Sequence, residues 1–234
     1  KMKKINNPVL ILAGGKGTRI KSVLKSTPKV LAPIGDQHFL YFLIKRLTSI
    51  GFKNFVFLLG FKHLVVKKQI ENMSKKFDIN LSYIIENKSL GTGGAVINAI
   101  EELNLKEPFF LTNADTWING NLKKYLELMK ENSILLVKSN SPDRFGTIEL
   151  DKNSMVKKFV EKTDKSTGYI NSGFYFLSPE IFKKFSSPCS LENEIFPSFE
   201  GKSILHGMQS DLGLTDIGVP EDYYKFKRSF DERF

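Results

Sequence analysis

Arg19 and Lys29 are the first residues in the chain placed to do chemistry. They adjoin the glycine-rich run Leu12-Ala13-Gly14-Gly15-Lys16-Gly17-Thr18, which follows directly on the apolar segment 9–12. Glycine has no Cβ to hold a ligand off, so the backbone N–H groups of such a turn can close on phosphate oxygens, while Thr18, Arg19 and Lys29 add donors and positive charge. The expectation is a phosphate cradle. Its plainer alternative is a glycine-rich hairpin carrying two solvated basic residues. Two common cradles are excluded by near misses. A Walker loop needs Gly-Lys followed by Ser or Thr, but Gly17 follows Lys16, and the dinucleotide fingerprint needs a third glycine where Ile20 stands.

Carboxylates are the next candidates. Asp115 follows the apolar run 109–112, which places it at the carboxyl end of a predicted strand, where open α/β sheets bind ligands. Asp216 lies far along the chain in Thr215-Asp216-Ile217-Gly218-Val219-Pro220. Mg²⁺ takes hard oxygen ligands, commonly one or two carboxylates together with substrate phosphates, so this pair would suffice. Taken singly, each reads as a helix N-cap or loop aspartate. Glu86 lies five residues before Gly91 in a second glycine segment, Leu90-Gly91-Thr92-Gly93-Gly94-Ala95. A carboxylate only accepts hydrogen bonds, so it suits the two adjacent donors of guanine and not the carbonyl-flanked single N–H of uracil or thymine. The alternative for Glu86 is an exposed loop acid. Glu161-Lys162 by itself is a surface ion pair.

The run 13–20 together with Pro28-Lys29-Val30-Leu31-Ala32-Pro33-Ile34 resembles the opening signature of the sugar 1-phosphate nucleotidyltransferases, also called sugar-nucleotide pyrophosphorylases. The resemblance extends over most of the chain, and within the family it is nearest to the branch that transfers guanylyl to D-glycero-D-manno-heptose 1-phosphate. It implies that an NTP, GTP by the Glu86 argument, and a sugar 1-phosphate are the partners, and that pyrophosphate is released. It further implies catalytic Arg19 and Lys29, and a nucleotide held by Leu12, Ala13, Gly14, Gly15, Gly17, Thr18, Glu86, Gly91 and Thr92. Sugar phosphate would be bound by Gly146, Glu161, Lys162 and Asn171, and Mg²⁺ by Asp115 and Asp216. Three positions depart from the family pattern: Asn113-Ala114-Asp115 replaces a more usual Gly-Asp pair, Val30 stands in place of proline after Lys29, and Thr163 stands where proline is more usual after Glu161-Lys162.

These groups need a scaffold, and the pattern supplies one. Apolar runs at 9–12, 55–59, 81–85 and 109–112 read as strands; they alternate with helical periods at 39–47, 64–73, 91–103 and 121–131. Shorter β-type runs follow at 134–137, 145–150, 155–161, 169–176 and 203–208, before a closing helix from Pro220. The expectation is an α/β fold: a doubly wound, mostly parallel, Rossmann-like sheet with a small added sugar-binding β portion, all in one domain over 1–234.

Composition narrows the remaining classes. The lone cysteine, Cys189, excludes a disulfide framework, and with only His38, His63 and His206 it makes no zinc site. No N-terminal apolar stretch has the form of a signal peptide or membrane span, so a cytoplasmic protein with no membrane partner is expected. Residues 1–76 hold sixteen Lys or Arg against Asp36 and Glu71, a balance of +14 within a total of +10. That would suit nucleic acid, but the lysines are scattered over several elements without interleaved aromatics, and attraction of a polyanionic nucleotide accounts for them. The rival classes are a non-catalytic nucleotide-sugar sensor and a nucleic-acid binder.

Overall fold

The computed structural model describes residues 5–140, 146–160 and 167–231. Along the chain the strands are β1 Val9–Ala13, β2 Pro33–Ile34, β3 Gln37–His38, β4 Asn54–Leu59, β5 Asn80–Ile85, β6 Phe109–Asn113, β7 Thr116–Asn119, β8 Ser133–Ser139, β9 Thr147–Leu150, β10 Val156–Val160, β11 Gly168–Leu177, β12 His206–Ser210 and β13 Gly213–Asp216. The α-helices are α1 Lys21–Leu24, α2 Phe39–Ile50, α3 His63–Lys76, α4 Gly91–Glu102, α5 Leu122–Leu126 and α6 Pro220–Asp231. The chain divides into two compact units. One comprises residues 1–89, 112–117 and 215–234, the other residues 90–111 and 118–214.

In the first unit β1 pairs in parallel with β4, Val9 opposite Phe55 through Ala13 opposite Leu59, and β4 pairs in parallel with β5. Parallel neighbours need a crossover, and α2 and α3 provide it. Because helices cover such a sheet, its strands read as continuous apolar runs. Val9, Leu10, Ile11, Phe55, Phe57 and Leu58 are at most 1% exposed, each contributing about 1.5–3 kcal/mol of burial. Helix α2 starts where the His38 ring accepts from the Tyr41 N–H at 3.2 Å. Burial pushes the His38 pKa down, which favours the neutral imidazole. Helix α6 docks through aromatics: Phe226 lies 5.2 Å from Phe39 and 5.3 Å from Trp117, and the Tyr223 hydroxyl donates to Pro33 O at 2.7 Å. This docking fixes the chain just before the helix, where Asp216 sits.

In the second unit β8 takes β11 antiparallel on one side and β12 parallel on the other, and β9 and β10 form an antiparallel pair. Helix α5 is shorter than the apolar period suggests. Leu128 and Met129 both donate back to Tyr125 O, and the chain turns out at Asn132, whose φ is +60°. The β-type run at 203–208 shifts to 206–210 because Ser203 has φ +53°, outside the strand region. A single π-type turn, Leu191–Ile195, was not legible in the sequence. Among the described residues no helix is long and apolar enough to cross a membrane.

Candidate active site

Strand β1 ends at Ala13, and the glycines 14, 15 and 17 follow directly. Gly14 O accepts from Phe61 N at 3.1 Å, and Leu12 O from Ala114 N at 3.1 Å. The second bond sets Asp115 one residue beyond the edge of the glycine run. Gly17 has φ +62°, a conformation glycine adopts without strain, and a Cβ there would lie 3.1 Å from Lys29 Cβ. The loop therefore turns tightly over the Lys29 stem. Thr18 and Arg19 open a short 3₁₀ turn, closed by Ile20 N donating to Gly17 O at 3.2 Å. Gly15 is exposed, and a Cβ there would meet nothing within 4 Å.

Four charged side chains meet beside this loop, all in the first unit. Lys29 Nζ bonds Asp115 Oδ2, and Arg19 Nη2 lies 3.4 Å from Asp216 Oδ2. Ile217 N donates to Asp115 O at 3.0 Å, joining the two aspartate segments through the backbone. Gly218 N donates to Asp216 Oδ1 at 2.7 Å. A Cβ at Gly218 would lie 2.7 Å from Asp216 Oδ1, 3.1 Å from Lys29 Nζ and 3.3 Å from Arg19 Nη2, so three of the four groups face one small space that only glycine leaves open. Lys29, Asp115 and Asp216 have side chains 11–19% exposed, whereas Arg19 is 64% exposed. Phosphate oxygens are the natural alternative partners for both cations, and a hard divalent cation for both carboxylates. The two carboxylates are hard oxygen donors of the type such an ion takes.

Glu86, just past β5, is held by its N–H donating to Leu59 O at 2.8 Å. Its carboxylate reaches the glycine loop, since a Cβ at Gly14 would lie 3.1 Å from Glu86 Oε1. Gly60 belongs to the same contact, with a Cβ position only 3.0 Å from Gly14 O. Gly60 did not stand out in the sequence, although it carried a signal, a glycine at the end of an apolar strand, and Gly218 entered only as part of the Asp216 segment.

The remaining expected residues lie in the second unit. Gly91 has φ +74°, and a Cβ there would come within 2.3 Å of Cys189 O. That carbonyl accepts from Gly93 N and Gly94 N, while Cys189 N donates to Leu90 O. The Thr92 hydroxyl accepts from Leu191 N at 2.9 Å and donates to Glu192 Oε2 at 2.6 Å. Gly146 and Asn171 line one cavity of about 530 Å³, together with Phe159, Phe196, Glu192 and Asn193. Asn171 is fixed by its amide donating to the Tyr175 hydroxyl and its Oδ1 accepting from Gly173 N. Glu161 and Lys162 lie outside the described residues.

With this geometry in place, the comparisons with known proteins are direct. The family model described as Nucleotidyl transferase matches residues 8–232. The chain is 36% identical over 219 residues to D-glycero-alpha-D-manno-heptose 1-phosphate guanylyltransferase of Campylobacter jejuni, covering 93% of this chain and 97% of that one. It is 32% identical to the mannose-1-phosphate guanylyltransferase catalytic subunit beta of Dictyostelium discoideum, covering 92% of this chain and 62% of that one. The crystal structure of HddC from Yersinia pseudotuberculosis complexed with GMP-PN superposes with a TM-score of 0.83 at 33% identity, over 96% of this chain and 99% of that one. The mostly parallel α/β fold expected from the sequence is thereby borne out, and the chain belongs to the nucleotidyl transferase family.

Proposed function

We propose that the chain transfers the guanylyl group of GTP to D-glycero-D-manno-heptose 1-phosphate, forming a nucleoside diphosphate sugar and pyrophosphate. An oxygen of the sugar phosphate attacks the α-phosphorus, a new P–O bond forms, and the bond from the α-phosphorus to the bridging oxygen of the leaving pyrophosphate breaks. The attacking phosphate is already anionic, so no protein nucleophile or base is needed. The barrier lies in bringing two anions together and stabilising charge as the pyrophosphate departs. The single observation that carries this reading is the convergence of Arg19, Lys29 and Asp216 on the Gly218 cradle, with Asp115 bonded to Lys29.

Arg19, being largely exposed, is assigned to phosphates as they arrive. Lys29, held under the loop by Gly17 and Asp115, is assigned to the charge that develops on the reacting phosphates. Asp115 and Asp216 would hold Mg²⁺, which when bound neutralises phosphate charge. Glu86 is assigned to guanine N1–H and N2–H₂, supported by the position of its carboxylate at Gly14. Gly146 and Asn171 are assigned to the sugar. The heptose rests on the 36% relative, and mannose 1-phosphate is the second reading, resting on the 32% relative.

The decisive experiment is a matrix of the four nucleoside triphosphates against heptose, mannose and glucose 1-phosphates with Mg²⁺, read by pyrophosphate release. The expected result is GTP with the manno-configured heptose as the best pair. Preference for another base removes the guanylyl assignment and leaves nucleotidyl transfer standing. No release with any pair favours a sensor.

A further inference from the structure

The cavity of the second unit holds two side chains that no step above employs, Glu192 and Asn193. Both stand on the π-type turn Leu191–Ile195, where Ile195 N and Phe196 N donate five residues back to Ser190 O and Leu191 O at 3.0 and 2.8 Å. Such a turn widens the helical spacing and is frequently found at functional sites. Here it sets two consecutive polar side chains, both exposed, at a cavity whose lining includes the buried ring of Phe196 and the ring of Phe159.

Glu192 is held from one side only. Its Oε2 accepts from the Thr92 hydroxyl at 2.6 Å and from the Ser190 hydroxyl at 3.2 Å. Each hydroxyl is itself committed by a backbone donor, Leu191 N to Thr92 and Asn193 N to Ser190. A hydroxyl that accepts an N–H must turn its own proton elsewhere, so both protons are directed at Oε2. Among the described residues, Glu192 Oε1 and the side-chain amide of Asn193 have no hydrogen-bond partner. A fixed carboxylate oxygen offers an acceptor, and an adjacent amide offers both a donor and an acceptor. Two neighbouring sugar hydroxyls, each able to donate and accept, match that set, and the apolar faces of Phe159 and Phe196 suit the C–H face of a sugar ring.

We infer that Glu192 and Asn193 bind a pair of adjacent hydroxyls of the sugar and so contribute to the choice of sugar. The inference rests on the reading of this cavity as the sugar site. Thr92 then acts as a positioning residue for Glu192, which gives the second glycine segment a role at the sugar without direct contact with the nucleotide.

The test compares wild type with Asn193→Ala and Glu192→Gln by calorimetric titration with GDP and with GDP-mannose, using UDP and UDP-glucose if the matrix selects uridine. Asn193 is the cleaner variant, since only its backbone N–H takes part in the fold. The expected result is a dissociation constant for the nucleotide sugar raised about tenfold by Asn193→Ala and a few-fold by Glu192→Gln, with that for the nucleoside diphosphate unchanged within about twofold. In turnover, KM for the sugar 1-phosphate should rise and KM for the triphosphate should not. Equal weakening of both ligands marks a structural role and overturns the inference, as does unchanged nucleotide-sugar binding in Asn193→Ala or a wild type that binds the nucleotide sugar no more tightly than the diphosphate. A wild type that binds the nucleotide sugar more tightly but releases no pyrophosphate would sink the proposed reaction alone; the sugar-reading pair then stands or falls on Asn193→Ala.

Discussion

The chain has two glycine-rich segments that look alike in sequence, 13–18 and 90–95, and they use glycine for opposite reasons. In the first, Gly15 faces open space, Gly17 turns the loop over Lys29, and the Cβ position of Gly14 points at the Glu86 carboxylate. In the second, Cβ positions at Gly91, Gly93 and Gly94 meet Cys189, Ile195 and Ser187, and the N–H groups of Gly93 and Gly94 are spent on Cys189 O. One segment keeps open space at Gly15. The other leaves room for the protein's own chain. A glycine-rich motif is thus evidence of close approach, and what approaches is decided by the neighbours.

If the first segment is built for phosphate, the largest effect should come from the cations beside it. Lys29→Ala and Arg19→Ala are each expected to lower kcat by about a hundredfold or more, as loss of one positioned electrostatic donor usually does, while circular dichroism shows the fold retained. Lys29→Ala should be the more severe, because Lys29 is the less exposed of the two and its removal leaves Asp115 without its cation. Near-normal pyrophosphate release in either folded variant would take that residue out of the reaction.

The sequence made β1, β4 and β6 legible because strands buried on both faces are continuous apolar runs of strand length, β5 through the run 81–85 although it is largely exposed or half-buried, and α2 and α4 because their apolar period is long and clean. It hid the short pairs β2, β3, β7 and β13, which bury too few residues to leave a pattern, and the π-type turn, whose spacing no periodicity reports. In the site, Arg19, Lys29, Asp115 and Asp216 could be named from their types and their likeness to a known signature. That Asp115 and Asp216 would share a site was expected from the likeness, but the meeting of Arg19, Lys29 and Asp216 at Gly218 was not, since it depends on a backbone bond from Ile217 to Asp115 across about a hundred residues of chain.

Stability separates the two glycine segments next. Gly91→Ala forces an L-residue to φ +74° and drives a methyl into Cys189 O, so a loss of about 3 kcal/mol is expected from backbone strain and the displaced hydrogen bonds. Gly15→Ala should leave the urea midpoint unchanged and raise KM for the triphosphate about tenfold by filling space a phosphate would use. Urea denaturation and steady-state kinetics on the pair decide the matter. A stable, active Gly91→Ala or an unaffected KM in Gly15→Ala would erase the contrast.

Glu86 tests whether the first segment also borders a base. An amide in place of the carboxylate offers a donor where guanine presents donors, leaving a polar mismatch, and it gains a partner in a uracil carbonyl. Glu86→Gln is expected to lower kcat/KM for GTP about tenfold and to narrow the ratio of GTP to UTP. An unchanged ratio would assign the Glu86 carboxylate to holding the loop at Gly14 instead.

The smallest effect concerns the thiol packed against the second segment. Cys189 is 7% exposed, and a Cβ at Gly93 would lie 2.9 Å from its sulfur. Burial, with a smaller contribution from the negative charge of Glu194, pushes the Cys189 thiol above its ordinary value near 9. The thiolate is the reactive form, so both access and ionisation oppose attack. Labelling of the native protein at pH 8 with an aromatic disulfide is expected to run at least about tenfold slower than in the urea-unfolded chain. Because the folded pKa is raised, the native labelling rate should go on climbing with pH after the unfolded chain has levelled off above the ordinary thiol value. Gly93→Ala, which must push Cys189 aside, should speed the native labelling. Native labelling as fast as unfolded labelling would mean that the segment opens readily, and its glycines would then no longer be explained by packing against the chain.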